Sequence, residues 1–308
     1  MSARLRLGTR GSPLARLQAG LAAAALRSTS PGLAAPDAIE IVVIRTTGDR
    51  ITDRPLAEIG GKALFCKEIE TALVERRIDV AVHSMKDLPT WLPEGLVLAA
   101  VLERADVRDV LISRERGGLA DLPANALVGT TSPRRQAQVL ARRPDLRIGL
   151  LRGNVQTRLA RIEAGAVDAT LLAKAGLDRL GIEAPGVVLA PDELLPACGQ
   201  GLIALECRAD DAATRAALER VDDPAGALAT RAERGLLEAV DGSCHTPLGG
   251  LAEIDGDSLR IRGLLARPDG SAMVRAERRG PAAEAARLGR EVGLELRAAA
   301  GPDYPAYG

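Results

Sequence analysis

Asp79-Val-Ala-Val-His-Ser-Met-Lys-Asp-Leu-Pro89 is the stretch around which the rest of the chain is read. Val80, Ala81 and Val82 form an unbroken apolar run, which predicts a buried strand. The run empties into His83, Ser84, Lys86 and Asp87. Pro89 lacks a backbone N–H and stops any return to a ladder. A buried strand that ends in charged residues predicts a cleft at its carboxyl end, where open α/β sheets bind ligands. Asp87 is expected there as a single buried acid. A carboxylate beside a lysine at a strand end can stabilise a cation or move a proton. A plain Lys–Asp surface turn is the alternative from this segment alone.

Outward from it, the same rhythm repeats. Leu5 to Pro13 reads as a strand, a Gly/Ser turn and the start of a helix over 14–27. A strand over 38–44 follows, then Thr47-Gly-Asp49 and the Gly60-Gly-Lys62 approach to a helix reaching about Arg77. A strand over 96–102 comes next, and in a second unit strands over 110–113, 125–129, 146–151 and 168–173 alternate with helices, which predicts parallel sheet with crossover helices. Residues 189–204 read as loop, with a strand over 202–207 at its end and helices over 212–220 and 225–238 beyond. From Leu251 the pattern changes to three short strands and one helix over 281–299, an α+β unit of its own.

The 308 residues suffice for two or three domains. Aromatics make up 1% of the chain, so the core must be aliphatic. Lys+Arg and Asp+Glu both number 41, and this balance argues against a general nucleic-acid binder, which needs a basic surplus. Cys66, Cys198, Cys207 and Cys244 form no C-x-x-C pair, so no metal site is expected. No leader-like opening is seen, and no run approaches the roughly 18 apolar residues of a membrane span. The expectation is a cytoplasmic protein that binds neither membrane nor nucleic acid.

Cations recur where strands end and helices begin. Thr130, Ser132, Arg134 and Arg135 form one such loop, Arg152 and Arg158 flank another, and Arg179 follows a third strand. Arg10, Ser12 and Lys62 do the same in the first half. In a parallel sheet these loops share one edge. Arginine's planar fork suits carboxylate and phosphate. The phosphate signatures G-x-x-x-x-G-K-[ST] and G-x-G-x-x-G are missing, so a ligand with several carboxylates fits better. Cys244, between Gly242 and Pro247, is read as a nucleophile or an attachment point on an open loop.

These motifs together resemble the porphobilinogen deaminase (hydroxymethylbilane synthase) family. The resemblance runs nearly end to end. It includes Thr9-Arg-Gly-Ser-Pro13, Gly60-Gly-Lys-Ala-Leu-Phe65, Val82-His-Ser-Met-Lys-Asp-Leu-Pro89 and Gly129-Thr-Thr-Ser-Pro-Arg-Arg135. It continues through Leu151-Arg-Gly-Asn-Val-Gln-Thr-Arg158 and Leu195-Pro-Ala-Cys-Gly-Gln-Gly201. It implies an α/β fold of two periplasmic-binding-protein-like domains, 1–102 with 200–219 and 103–199. A C-terminal α+β domain over 220–308, a three-stranded sheet with helices, carries the cofactor loop. It implies a monomeric transferase of haem and tetrapyrrole biosynthesis. That enzyme joins four porphobilinogen molecules head to tail on a dipyrromethane primer, releases ammonia and hydrolyses off hydroxymethylbilane.

By the resemblance Cys244 holds the dipyrromethane as a thioether and Asp87 is the catalytic carboxylate. The implied cofactor-binding set is Arg10, Ser12, Lys62, Phe65, Ser84, Lys86, Thr130, Ser132, Arg134, Arg135, Arg152, Gly153, Arg158, Arg179 and Gln200. Phe65 either packs on a pyrrole face or is plain helix core. The cysteine loop reads Asp241-Gly-Ser-Cys244-His, where many members have Gly-Gly before the cysteine. The alternative is a non-catalytic solute-binding protein for a small polycarboxylate, which would share the first two domains and have no need of Cys244.

Overall fold

The computed structural model describes residues 4–46, 66–183, 186–243 and 246–301. Among these, the first elements are β1 Leu5–Arg10, α1 Pro13–Thr29, β2 Ile39–Ile44, α2 Lys67–Val74, β3 Val80–Ser84 and β4 Leu96–Val101. Next come β5 Asp109–Ser113, β6 Leu127–Gly129, α3 Pro133–Arg142, β7 Arg147–Gly149, α4 Val155–Glu163, β8 Ala169–Ala173, α5 Lys174–Arg179 and β9 Val187–Leu189. The last are β10 Ile203–Arg208, α6 Ala212–Glu219, α7 Pro224–Val240, β11 Leu248–Asp255, β12 Ser258–Ala266, β13 Met273–Pro281 and α8 Ala285–Ala300. The chain divides into two compact units. The described part of the first is 4–46, 66–105 and 201–227, and of the second 106–183, 186–200, 228–243 and 246–301.

The first unit is built on a five-stranded sheet of order β2-β1-β3-β10-β4. Alternation along β3 decides its two faces. Val80 and Val82 pack with Leu7, Ile203 and Leu205 against Ala19, Ala22, Ala23 and Leu26 of α1. Ala81 points the other way, toward Ile69, Ala72 and Leu73 of α2. The alanines of α1 let the helix lie close to the sheet, and each fully buried leucine contributes about 1.5–3 kcal/mol. β3 is buried on both faces, so its sequence is continuously apolar rather than alternating.

The second unit holds two sheets. One is five-stranded, of order β7-β6-β8-β5-β9. Its faces are also separate, with Leu111, Val128, Ala169 and Leu171 on one side and Val110, Ile112 and Leu172 on the other. The other is the antiparallel β11-β12-β13. Leu259, Ile261 and Leu265 of this sheet pack against Ala232 and Leu236 of α7 and Leu288, Val292 and Leu296 of α8. Glycines permit the closeness of the two helices: a Cβ at Gly289 would run into the Ala232 carbonyl, and one at Gly235 into that of Ala286.

The expected parallel sheet of the second unit is corrected to a mixed one, and the sheet of the first unit is mixed in the same way. β1 is parallel to β2 and β3, but β10 runs antiparallel to both β3 and β4. Likewise β6 is parallel to β7 and β8, while β5 is antiparallel to β8 and β9. The physical reason lies in where the chain enters each sheet. β5 and β10 are the strands that follow the crossings at 105/106 and 200/201, and each begins at the edge where its neighbours in the sheet end. Asp109 therefore pairs with Ala173, the last residue of β8, and Ile203 with Ser84, the last of β3. The expected loop over 189–204 is preceded by the short strand β9, which the sequence reading did not assign.

Candidate active site

In the first unit β3 runs on through His83 and Ser84. Met85–Asp87 then closes a single 3-10 turn, in which the Leu88 amide donates to the Met85 carbonyl at 3.1 Å. Met85 and Leu88 are buried, which turns Asp87 outward. Asp87 is thus exposed rather than buried as the sequence reading expected, because a 3-10 turn with two apolar anchors has to direct its third side chain away from them. The Met85 amide donates to the Leu202 carbonyl at 3.0 Å and ties the turn to the return crossing.

Arg10, Ser12, Gln18, Cys66, His83, Ser84 and Asp87 line a cavity of about 80 Å³. Arg10 comes from the carboxyl end of β1. Ser12 caps α1: its Oγ accepts from the Ala15 amide at 3.3 Å, and Pro13 occupies the first helical turn. Gln18 and Ser84 form a reciprocal pair, with Gln18 Nε2 donating to Ser84 Oγ at 2.9 Å and Ser84 Oγ donating to Gln18 Oε1 at 3.1 Å. Gln18 was missed in the sequence reading. Its signal was a lone amide on the Ala/Leu stripe of α1, at a position that proves buried.

Behind the cavity lie buried acids. Glu206 of β10 meets His83 Nε2 at 3.1 Å, and both side chains are almost fully enclosed. Burial first, and then the Glu206 carboxylate, push the Glu70 carboxyl up to about 7, with His83 acting in the opposite direction. The folded value of Glu70 lies above its unfolded one, so the native state keeps a proton that the unfolded state releases. Stability should therefore fall as pH rises from the ordinary glutamate range toward 7. Urea midpoints measured between about pH 5 and about pH 7.5 should lose this slope in Glu70→Gln; an unchanged slope would assign it to another group.

The second unit gathers the expected cations around a residue the sequence reading did not single out. Thr130 is buried at the end of β6, its Oγ1 accepts from the Ser132 amide at 3.1 Å, and Ser132 caps α3 by accepting from the Arg135 amide at 3.4 Å. Arg134 and Arg135 follow on the first turn of α3, and both are buried. Asp109, at 0% exposure, accepts from Arg134 Nη2 at 2.8 Å and from Arg135 Nη2 at 2.6 Å. Gln200 Nε2 donates to Asp109 Oδ1 at 3.1 Å and to the Val107 carbonyl at 2.7 Å. Arg134 Nη1 donates to the Leu195 carbonyl at 2.7 Å.

Two guanidiniums against one carboxylate leave this buried cluster with a surplus positive charge. Burial pulls the Arg134 guanidinium below its ordinary value, opposed by Asp109. The Nε atoms of Arg134 and Arg135 are buried with no hydrogen-bond partner among the described residues. Unsatisfied buried donors beside surplus positive charge mark a place suited to an anion.

Arg152 and Gly153 lie in the turn from β7 into α4, and Arg158 lies on the first turn of α4. Gly153 adopts a φ of +110°, a region favouring glycine, and its carbonyl accepts from Arg158 Nε at 3.0 Å. Asn154 caps α4 through the Thr157 amide at 2.9 Å. Arg179 lies in the last turn of α5, where burial lowers its guanidinium. Lys86 shares the Asp87 turn. Lys62, Phe65 and Cys244 lie outside the described residues. Among the described residues no group of acids, histidines and cysteines is arranged to hold a metal, and no helix is long and apolar enough to cross a membrane.

Comparison with known proteins places the chain in a family. A family model described as porphobilinogen deaminase, dipyromethane cofactor binding domain, matches residues 5–216, and that of the porphobilinogen deaminase C-terminal domain matches 227–298. The chain belongs to the porphobilinogen deaminase family. The porphobilinogen deaminase of Paracoccus denitrificans (strain Pd 1222) is 54% identical, over 97% of this chain and 96% of that protein. The chloroplastic porphobilinogen deaminase of Oryza sativa subsp. japonica is 48% identical, over 97% of this chain and 85% of that protein.

Membership makes this chain a transferase of tetrapyrrole biosynthesis that acts as a hydroxymethylbilane synthase and uses a dipyrromethane cofactor. The alternative of a non-catalytic binding protein is not favoured by these matches. Among solved structures, the periplasmic aliphatic sulphonate binding protein SsuA from Escherichia coli is similar at a TM-score of 0.42 and 15% identity, over 78% of this chain and 71% of that one. No functional statement follows from a likeness at that level.

Proposed function

We propose that Asp87 is the catalytic carboxylate of a hydroxymethylbilane synthase whose dipyrromethane primer is attached through Cys244. The observation that supports this best is the surplus positive charge of Arg134 and Arg135 over Asp109, with two buried Nε–H donors to spare. Porphobilinogen carries an acetate and a propionate, so the primer and the lengthening chain are polyanions that such donors suit. Arg134, Arg135, Thr130, Ser132, Arg152, Gly153, Arg158, Arg179 and Gln200 would hold carboxylates in the second unit. Arg10, Ser12, Ser84 and Lys86 would do so in the first, with Lys62 and Phe65 completing the set. When bound, the primer supplies the nucleophilic pyrrole carbon.

Asp87 faces a cavity lined by Arg10, Ser12 and Ser84. Its carboxylate can stabilise the positive charge left on the porphobilinogen carbon as ammonia departs, and can accept from pyrrole N–H groups. Holding two pyrroles in contact supplies further rate by orientation. The reading includes the division 1–102 with 200–219, 103–199 and 220–308, a cytoplasmic location and a monomer. The three separate sheets are in keeping with that division.

Intact-mass measurement of the purified chain tests the reading. An adduct the size of two linked pyrroles is expected, and Cys244→Ser should remove it. An unmodified thiol in fully active protein would overturn the attachment.

A further inference from the structure

Beneath the Asp87 turn runs a chain of polar contacts that the reaction, as derived above, does not use. It starts at Glu206 of β10, which meets His83 Nε2 at 3.1 Å. The other ring nitrogen, His83 Nδ1, lies 3.7 Å from Cys66 Sγ. Cys66 Sγ in turn lies 3.5 Å from the backbone carbonyl oxygen of Asp87. Strand register makes the first contact possible. His83 pairs with Ala204, so Glu206, two residues along β10, projects on the same face as His83. Cys66 immediately precedes α2, whose position is held by Ile69, Ala72 and Leu73.

The chemistry of the donors gives this chain a direction. A thiol has one hydrogen to give. Burial first, then Glu70, Asp87 and Glu206, push the Cys66 thiol far above its ordinary value, so the sulfur keeps that hydrogen. When the hydrogen points at the Asp87 carbonyl, the sulfur offers only lone pairs to His83 Nδ1, which then has to donate. Nε2 faces the Glu206 carboxylate. With a carboxylate facing Nε2 and sulfur lone pairs facing Nδ1, the contacts suit donation from both ring nitrogens. That arrangement also answers the cost of burying Glu206, whose Oε1 has no partner among the described residues.

We propose that His83 is a positioning residue: clamped by Glu206, it fixes the Asp87 carbonyl through the Cys66 thiol and so sets the direction in which the Asp87 carboxylate faces the cavity. The inference rests on Asp87 as the catalytic carboxylate. Met85–Asp87 is a single 3-10 turn with an exposed acid at its end. A misplacement of about 1 Å at a reacting group can cost roughly 100-fold in rate.

Side-chain shape supplies the test. An asparagine amide nitrogen overlays Nδ1 and can still donate to Cys66, whereas that of glutamine overlays Nε2 and can only face Glu206. His83→Gln and Cys66→Val should lower kcat about tenfold with KM little changed, the size expected for one lost neutral hydrogen bond at a reacting group. His83→Asn and Cys66→Ser should recover part of that loss, with cofactor loading checked by intact mass. Leu88 amide exchange should quicken in Cys66→Val.

The chain has only two histidines, so nitrogen-15 NMR of the wild-type protein can show both His83 nitrogens protonated. A bare Nδ1, normal kcat in His83→Gln and Cys66→Val, or rescue by glutamine rather than asparagine would each overturn the proposal. Should His83→Gln fail to fold, the NMR measurement still decides. Asp87→Asn run in parallel separates the two claims. Near-normal turnover there removes the catalytic reading itself, while an inactive Asp87→Asn beside fully active His83 and Cys66 variants removes only the tether.

Discussion

Asp87→Asn should give a folded protein whose turnover is lower by roughly 100- to 1,000-fold, the range seen when one preorganised charge-stabilising group is removed. The fold should survive because, among the described residues, the contacts named as holding the turn do not use the Asp87 carboxylate. Met85 and Leu88 are buried beneath it, the Leu88 and Met85 amides are bonded to backbone carbonyls, and Cys66 approaches the Asp87 carbonyl rather than its side chain. Asparagine keeps the shape and removes the charge, so the loss reports electrostatics at the step that expels ammonia. Steady-state turnover beside a thermal melt checks this. A kcat within about twofold of wild type would remove Asp87 from the chemistry.

Asp109→Ala should lower stability by about 3–5 kcal/mol, the cost of leaving buried charges without their partner. Arg134 and Arg135 are 4% and 6% exposed and share this one carboxylate at 2.8 and 2.6 Å. Gln200 contacts the same oxygen as Arg135, so the loss also removes one of the contacts of the segment that leads into β10. Denaturant unfolding reads the stability change. Arg134→Met added to Asp109→Ala should restore part of it, because it removes one of the uncompensated guanidiniums. An unchanged midpoint in Asp109→Ala would mean that another anion balances the pair.

Much of the site was legible because it follows from one-dimensional rules. The apolar run at 80–82 announced a buried strand, and Ser12-Pro13 and the Thr130–Arg135 loop announced helix starts, where Ser12 and Ser132 are real caps. Asp109, Gln18 and Glu206 were not singled out. Each is a single polar residue inside an apolar pattern, and its partners lie far off in sequence. Arg134 is 25 positions from Asp109, Ser84 is 66 from Gln18, and Glu206 is 123 from His83. Whether such a residue is solvated or enclosed is a property of what packs over it. The same limit hid the exposure of Asp87, which depends on Met85 and Leu88 finding the core.

The amino-acid sequence alone determined the strand–helix alternation, the aliphatic core, the arginine-bearing loops and the family. These rest on spacing and on local backbone chemistry, which act over a few residues. Tertiary structure alone decided that each large sheet contains one reversed strand, because direction is set by where the chain returns from the other unit. It alone decided that two arginines read as ligand contacts are first of all the partners of Asp109. A buried charge is settled by its whole surroundings, and those are assembled only when distant segments meet.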